Sequence, residues 1–295
     1  MHVKFKKKFR FSIQSQCVWL DNIKVQHALP NKFTHAIGPF VFLEHILSYK
    51  QSLNDIHKGL SRKGAMPHRG ITILTYSLAG DVEHLDSIGN HVKLGSGGVH
   101  YTKAGTGIVY NEAIKPEFKE ANSDISVFRF WVNLPIKRKS DKPNYFSFQS
   151  NEIPKLKFDD DTGWIKILLG EYENVIAKIA CYSKGFLYHL HLHAGKQHSI
   201  VTEMKFEYAA FLPANKAIIN SKEFHVGEFI AFTPLGEMIE IKNKSKTAID
   251  IILFGGEPYN EPIVSEGNFV MNTQHEITQA YNDYYDGKYG RIKNS

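Results

Sequence analysis

Histidine supplies most of the chemistry open to this chain. His189, His191 and His193 alternate with Leu190 and Leu192. Successive side chains of a strand take opposite faces, so the three imidazoles share one face, roughly 6.6 Å apart per pair. A His-x-His pair on a strand can ligate a transition metal, and one reading is a site that also draws on His198. The other puts the two leucines in a core and turns the histidines outward, exposed and able to pick up nickel or zinc adventitiously. The alternation favours the outward reading. A second group, His84, Asp86 and His91, surrounds a hairpin turn and reads as solvent-facing. Nucleophile and nucleotide chemistry find no support: there is no Gly-x-Ser-x-Gly elbow, no Gly-x-x-x-x-Gly-Lys-Ser/Thr loop and no dinucleotide fingerprint after a strand. The GSGG at 95–98 reads as a turn.

The elements that must position these groups are strands. Short apolar or alternating segments recur between Gly, Asn and Asp turn signals, the pattern of a sandwich or barrel rather than of strand-helix-strand units. Ile71–Leu78, Val82–Leu85, Gly107–Tyr110 and Val127–Leu134 are the clearer strands of the first half. Turns fall at 79–81 and 87–90, where Gly and Asn tolerate left-handed backbone. A charged, Pro-containing stretch at 135–155 marks an exposed connection, and beyond it the strand rhythm resumes. At the end, Thr273 and Glu276 form a capping box ahead of Ile277, Ala280, Tyr281 and Tyr284, with Gly287 as stop signal. A shorter helical piece is expected around Ile46–His57. The expectation is an all-β protein with a first barrel over 1–140, a second over 150–260, and a tail with a helix over 261–295 that packs on a barrel.

Bulk properties agree with a globular chain. Two domains fit 295 residues, and 42% hydrophobic with 13% aromatic residues can fill two cores. Charged residues or Gly interrupt every apolar run before it reaches the roughly 18 residues of a membrane span. The basic N-terminus is not followed by the apolar stretch of a secretory signal. Only Cys17 and Cys181 are present, outside any paired motif, which reads as isolated thiols in a reducing cytoplasm. The net charge is +6. The one dense basic run, Lys4–Arg10, alternates with Phe5, Phe9 and Phe11 as a half-buried edge strand with a solvated face does. That is too narrow a footprint for nucleic acid.

Within residues 64–112 the pieces PHRG, LTYSLAGDVEHLDSIGN, AGTGI and a closing Glu occur in order, with GPFVFLEH at 38–45 and GGEPYNEPIVSEGNFVMNTQHEITQA at 255–280 on either side. In spacing and identity this resembles the pirin family of bicupins. The resemblance implies two tandem cupin barrels of jelly-roll type, with one iron-type metal held in the first by a His-Pro-His pair and a His-x-Glu pair. Two or three imidazoles with a carboxylate suit Fe, Mn, Ni or Cu and leave positions open for substrate. In this chain the pairs fall on Met66-Pro67-His68 and Tyr110-Asn111-Glu112. His68 and Glu112 match; Met66 and Tyr110 do not. A thioether is a poor ligand for ferrous iron, and a phenol must first lose a proton.

Three readings of the metal position follow. The site is metal-free or binds metal weakly, leaving His68 and Glu112 as a hydrogen-bonded pair; or a metal persists on altered ligands; or His100 is recruited to rescue it. Family resemblance implies quercetin-type dioxygenases among some members and binding partners of other proteins among others. With two ligand positions substituted, the expectation leans away from an enzyme toward a small aromatic ligand or a protein partner. Dioxygenase activity is expected to be lost or reduced, with Glu112 the catalytic group if any remains.

Overall fold

The structure, a computed structural model, describes residues 5–20, 23–48, 60–61, 65–115 and 125–293. Its chain divides into two units, one of Val18–Val25, Val41–Glu152 and Asn260–Ser295, the other of Met1–Cys17, Gln26–Phe40 and Ile153–Tyr259. The break in the middle of the chain falls at the expected connection. The N-terminal segment, however, belongs with the later strands and not with a first barrel over 1–140. The reason is packing. Phe9–Gln14 pairs antiparallel with Glu228–Phe232 at the edge of a sheet, and its apolar residues meet aromatic partners there: Phe9 lies 5.0 Å from Phe224 and Phe11 stacks 6.0 Å from Phe229.

In the first unit, Asn144–Phe148, Val99–Lys103, Ile71–Ala79, Ile125–Asn133 and Phe40–Ser48 lie side by side in one sheet. Leu60–Ser61, Ile108–Lys115, Asp81–Asp86 and His91–Leu94 form a second, with Met66–His68 also paired to Ile108–Lys115. Ile46 and Leu47 are therefore strand residues, not the start of a helix, and 49–59 lie outside the described residues. Burial along Asp81–Asp86 alternates: Val82, His84 and Asp86 are buried, while Asp81, Glu83 and Leu85 are partly exposed. That alternation is what puts polar groups inside the barrel.

The helix Gln274–Tyr285 starts at the expected capping box, where the Glu276 amide donates to Thr273 Oγ1 at 3.2 Å and the Thr273 amide to Glu276 Oε2 at 2.9 Å. Ile277 and Ala280 pack with Val109, Phe269, Met271 and Tyr289, so the helix docks on the barrel of its own unit. Gly107, in the AGTGI turn, has φ +133°, and a Cβ there would fall 2.1 Å from the Tyr289 ring. Only glycine allows that approach.

The second unit has a long sheet in the order Phe9–Gln14, Glu228–Phe232, Glu207–Phe211, Ile249–Gly256, Gly185–Leu192, Gly163–Leu169 and Lys155–Lys157. A four-stranded sheet of Gln197–Val201, Met238–Lys242, Ala217–Ile219 and Lys222–Phe224 accompanies it. Leu190 and Leu192 enter the core with Ile165, Ile230 and Ile251. Lys7, expected on a solvated face, is buried instead. Its Nζ donates to the Pro234 carbonyl at 2.6 Å and sits 4.8 Å over the Tyr208 ring, and burial pulls its ammonium down to about 8.

Candidate functional site

The inner face of the first barrel carries a cluster of polar groups from both sheets. Ile108–Lys115 contributes Tyr110 and Glu112, and its register sets Tyr110 opposite both Met66 and Asp86, and Glu112 opposite His84. Thr75, His100 and Arg129 come from the facing sheet, and Arg129 pairs across from Thr75. Apart from Met66, which is half-buried, every one of these side chains is buried, as is Glu44.

Glu112 is the hub. Its Oε2 accepts from Arg129 Nη2 at 2.7 Å and from Thr75 Oγ1 at 3.1 Å. Arg129 Nη1 donates to Glu44 Oε1 at 2.6 Å, so one guanidinium ties two carboxylates. Glu112 Oε1 lies 3.8 Å from His84 Nδ1, while His84 Nε2 donates to Asp86 Oδ2 at 3.0 Å. Asp86 in turn accepts from the amides of Ile88 and Asn90 and from Asn90 Nδ2, so the hairpin at 87–90 fixes the carboxylate that fixes His84. His100 Nδ1 is bonded to the Tyr145 hydroxyl, and the Tyr145 ring stacks 4.4 Å from His84.

Electrostatics follow from this wiring. Burial by itself would raise the Glu112 carboxyl, but Arg129, His84 and His100 outweigh it and hold it well below the usual carboxylate range. Burial would lower His84, but Asp86 and Glu112 carry it above an ordinary imidazole. Burial drops His100 to about 4 even with Glu112 nearby, so it is neutral near pH 7. Burial also pushes the Tyr145 phenol up. The cluster thus sets the His84 imidazole, shifted toward its charged form, and the Arg129 guanidinium among carboxylates, beside a neutral imidazole–phenol pair. It can store and pass protons and can neutralise an anion.

His68 and Glu112 both face this interior, yet the expected hydrogen bond between them is not formed, because Glu112 is engaged by Arg129 and Thr75. His68 Nδ1 instead lies 3.3 Å from the Met66 carbonyl, and its ring sits between Tyr110 at 4.8 Å and Trp131 at 5.4 Å. The Met66 thioether accepts from Asn268 Nδ2 at 3.7 Å. His100 faces the cluster as expected, with one nitrogen already bound to Tyr145. Among the described residues, no three His, Cys, Asp or Glu side chains are arranged as metal ligands.

Two sequence readings are overturned. His84 and Asp86 are not solvent-facing; they are 0% and 3% exposed. Only His91 stands partly outside, paired with Glu83 at 2.7 Å. The signal was available, since His84 and Asp86 lie two and four residues after the apolar Val82. His189 is likewise buried and not exposed, with Nε2 donating to Asp250 Oδ1 at 2.8 Å. His191 and His193 are the half-exposed members, and His198 stacks on Phe158 at 3.6 Å. Arg129, Glu44, Thr75 and Tyr145 were not foreseen. Arg129 is the one charge inside the run Val127–Leu134, and a charge there requires a buried partner.

On the outer face of the same strand, Val109 and Asn111 line a cavity of about 610 Å³ with Leu85, Tyr284, Tyr285 and Arg291.

Two family models match the chain. One described as Pirin covers residues 22–132, and one described as the pirin C-terminal cupin domain covers 187–290. Pirin-1 of Arabidopsis thaliana is 30% identical over 76% of this chain and 77% of its own length. A crystal structure of quercetin 2,3-dioxygenase from Acinetobacter baumannii superposes with a TM-score of 0.87 at 24% identity, covering 98% of this chain and all of that one. A bacterial pirin from Escherichia coli, in complex with nickel(II), superposes with a TM-score of 0.64 at 16% identity over 84% of this chain and 99% of its own. Both barrels have the cupin fold.

Proposed function

Because the chain belongs to the pirin family, we propose that it acts by binding a small aromatic ligand or a protein partner, with ring-opening dioxygenase activity lost or strongly reduced. The observation that carries this is the Arg129–Glu112 pair at 2.7 Å. Glu112 is the carboxylate at the family's metal position, and here a resident guanidinium both occupies its Oε2 and supplies positive charge. A divalent ion entering beside Arg129 would meet that charge in a low-dielectric interior. Met66 and Tyr110 replace the other two nitrogen donors. The side chains present do not fit an iron-type metal as the family pattern would hold it.

Opening a flavonol ring calls on a metal to hold the flavonol oxygens and organise dioxygen. Binding needs only a formed cavity. The groove of about 610 Å³ is of ordinary ligand size, with Tyr284 and Tyr285 offering ring faces and Arg291 a cation to a phenolate or carboxylate. No helix among the described residues is long and apolar enough to cross a membrane. Cys17 and Cys181 are free thiols, and we place the protein in the cytoplasm on that ground.

A second reading keeps an oxygenase on the non-standard set Met66, His68, Tyr110 and Glu112, with Fe, Cu, Ni or Mn. The contact between the His68 and Tyr110 rings favours it, as does the nickel(II) complex of the E. coli relative. Quercetin consumption by untagged protein supplied in turn with Fe, Mn, Ni, Cu and Co decides between them. The binding reading expects no turnover with any, and turnover with one of them overturns it.

A further inference from the structure

We propose that His191 and His193, on the outer face of the second barrel, form a binding site for a borderline divalent cation such as zinc, nickel or copper. One nitrogen of each ring is already committed. His193 Nδ1 lies 2.9 Å from the Asp161 main-chain carbonyl, which can only accept, so Nδ1 carries the proton and Nε2 presents its lone pair. His191 Nδ1 lies 2.7 Å from Asp250 Oδ1. An ionised carboxylate offers only lone pairs. It is therefore an acceptor too, and His191 also presents Nε2. In protein metal centres a ligating imidazole commonly donates its other N–H to a carboxylate or carbonyl, which fixes tautomer and ring orientation. Both rings have that support before any metal arrives.

Geometry agrees. The two ring centroids are 5.5 Å apart with planes at 80°. A metal held at about 2.1 Å by one imidazole nitrogen lies about 3.2 Å from that ring's centre, so two such ligands at a tetrahedral angle have centroids about 5.2 Å apart. The His191 ring is held further by stacking on Trp164, 4.9 Å away and 8° from parallel. Side-chain exposures of 24% for His191 and 36% for His193 leave both rings partly open to solvent. His189, buried and bound to the same Asp250 oxygen, positions the carboxylate rather than the metal. Two imidazole ligands leave the remaining coordination to water or to a donor from outside the chain. This set selects for nitrogen-preferring cations over magnesium and calcium. It lies in the other unit from the Glu112 cluster and does not depend on how that cluster is read.

Titration of untagged, full-length protein with zinc, followed by calorimetry, tests it, with copper quenching of Trp164 fluorescence as a second readout. One equivalent of zinc is expected to bind while magnesium and calcium do not. His191→Gln and His193→Gln are each expected to weaken zinc at least tenfold, and Asp250→Asn to weaken it 10- to 100-fold with both ligands in place. Copper paramagnetic resonance should show coupling to two imidazole nitrogens, falling to one in His193→Gln, a surface change that leaves the core untouched. Zinc binding that is unchanged in both histidine variants overturns the proposal. Loss of one zinc equivalent in the His191→Gln/His193→Gln double variant supports the proposal, and a further equivalent that persists there counts against the metal-poor reading of the first barrel.

Discussion

Arg129 Nη2 lies 2.7 Å from Glu112 Oε2 inside the first barrel, and the opposite side of the same guanidinium lies 2.6 Å from Glu44. Removing one partner from a buried ion pair strands the other without water, which costs about 3–5 kcal/mol. Arg129→Met is therefore expected to destabilise the protein by about that much in urea unfolding, more than Arg129→Lys. Adding Glu112→Gln to Arg129→Met should recover part of the loss, because the stranded charge is then gone. A double variant as unstable as the single one would mean that Glu112 is not the group Arg129 compensates.

Acid stability follows from two buried neutral imidazoles. Burial takes His100 to about 4, and burial with Lys24 takes His45 to about 3, where His45 Nε2 is 2.8 Å from Ser126 Oγ and its ring stacks on Phe128 at 4.1 Å. Both folded values lie below the unfolded imidazole near 6.5. Their contribution is thus present above about pH 6.5 and is lost as pH falls toward the folded values, by up to about 1.4 kcal/mol per pH unit for each. His84 has the opposite sign. Its raised value gives a contribution fully present below about 6.5 and lost as pH rises through the folded value, so it is constant across the acid range. Unfolding free energy measured from pH 6.5 to 4.5 should fall, and His45→Gln with His100→Gln should flatten the slope. An unchanged slope in that variant would remove these two residues from the account.

How much of this was legible from residues alone depends on side-chain period and on distance. The strands Ile71–Ala79, Asp81–Asp86 and Ile125–Asn133, and the capped helix at Gln274, are local patterns, and they appear close to where alternation and capping put them. Family motifs point to His68 and Glu112, and its strand ahead of the AGTGI turn points to His100, as residues of one interior. What the sequence hid was pairing. Nothing local says that Glu44 and Glu112 share Arg129, 85 and 17 residues away, or that Phe9–Gln14 leaves its sequence neighbours for Glu228–Phe232. His84 differs: it lies next to a turn, but its burial follows the period-two pattern that Val82 sets and not the turn.

Gly107 and Tyr289 offer a test of how the C-terminal segment is held. The glycine has φ +133°, and a Cβ would fall 2.1 Å from the Tyr289 ring. Tyr289 packs with Val109, Phe269 and Ile277, and its hydroxyl donates to the Ala280 carbonyl at 2.7 Å. Gly107→Ala therefore adds backbone strain and displaces the ring, for a loss of about 1–3 kcal/mol. Limited proteolysis should then cut within 274–293 before the barrels. Equal protection of that segment in variant and parent would show that the ring contact does not hold it.

The substituted positions can be returned to the family pattern. Register places Tyr110 directly across from Met66, so Met66→His with Tyr110→His sets two new imidazoles on neighbouring strands beside His68 and Glu112. Arg129 should still oppose the metal, since it holds Glu112 Oε2 and adds a positive charge. In a His191→Gln/His193→Gln background, which removes the outer pair, calorimetry is expected to show nickel affinity raised at least tenfold by the two restorations. Adding Arg129→Gln should raise it again, because the carboxylate is released and the repulsion removed, although the variant without Arg129 will be less stable. If the restored histidines bind no nickel with or without Arg129, the barrel interior has lost the shape of a metal cradle, and substitution of the ligands is not the whole of the change.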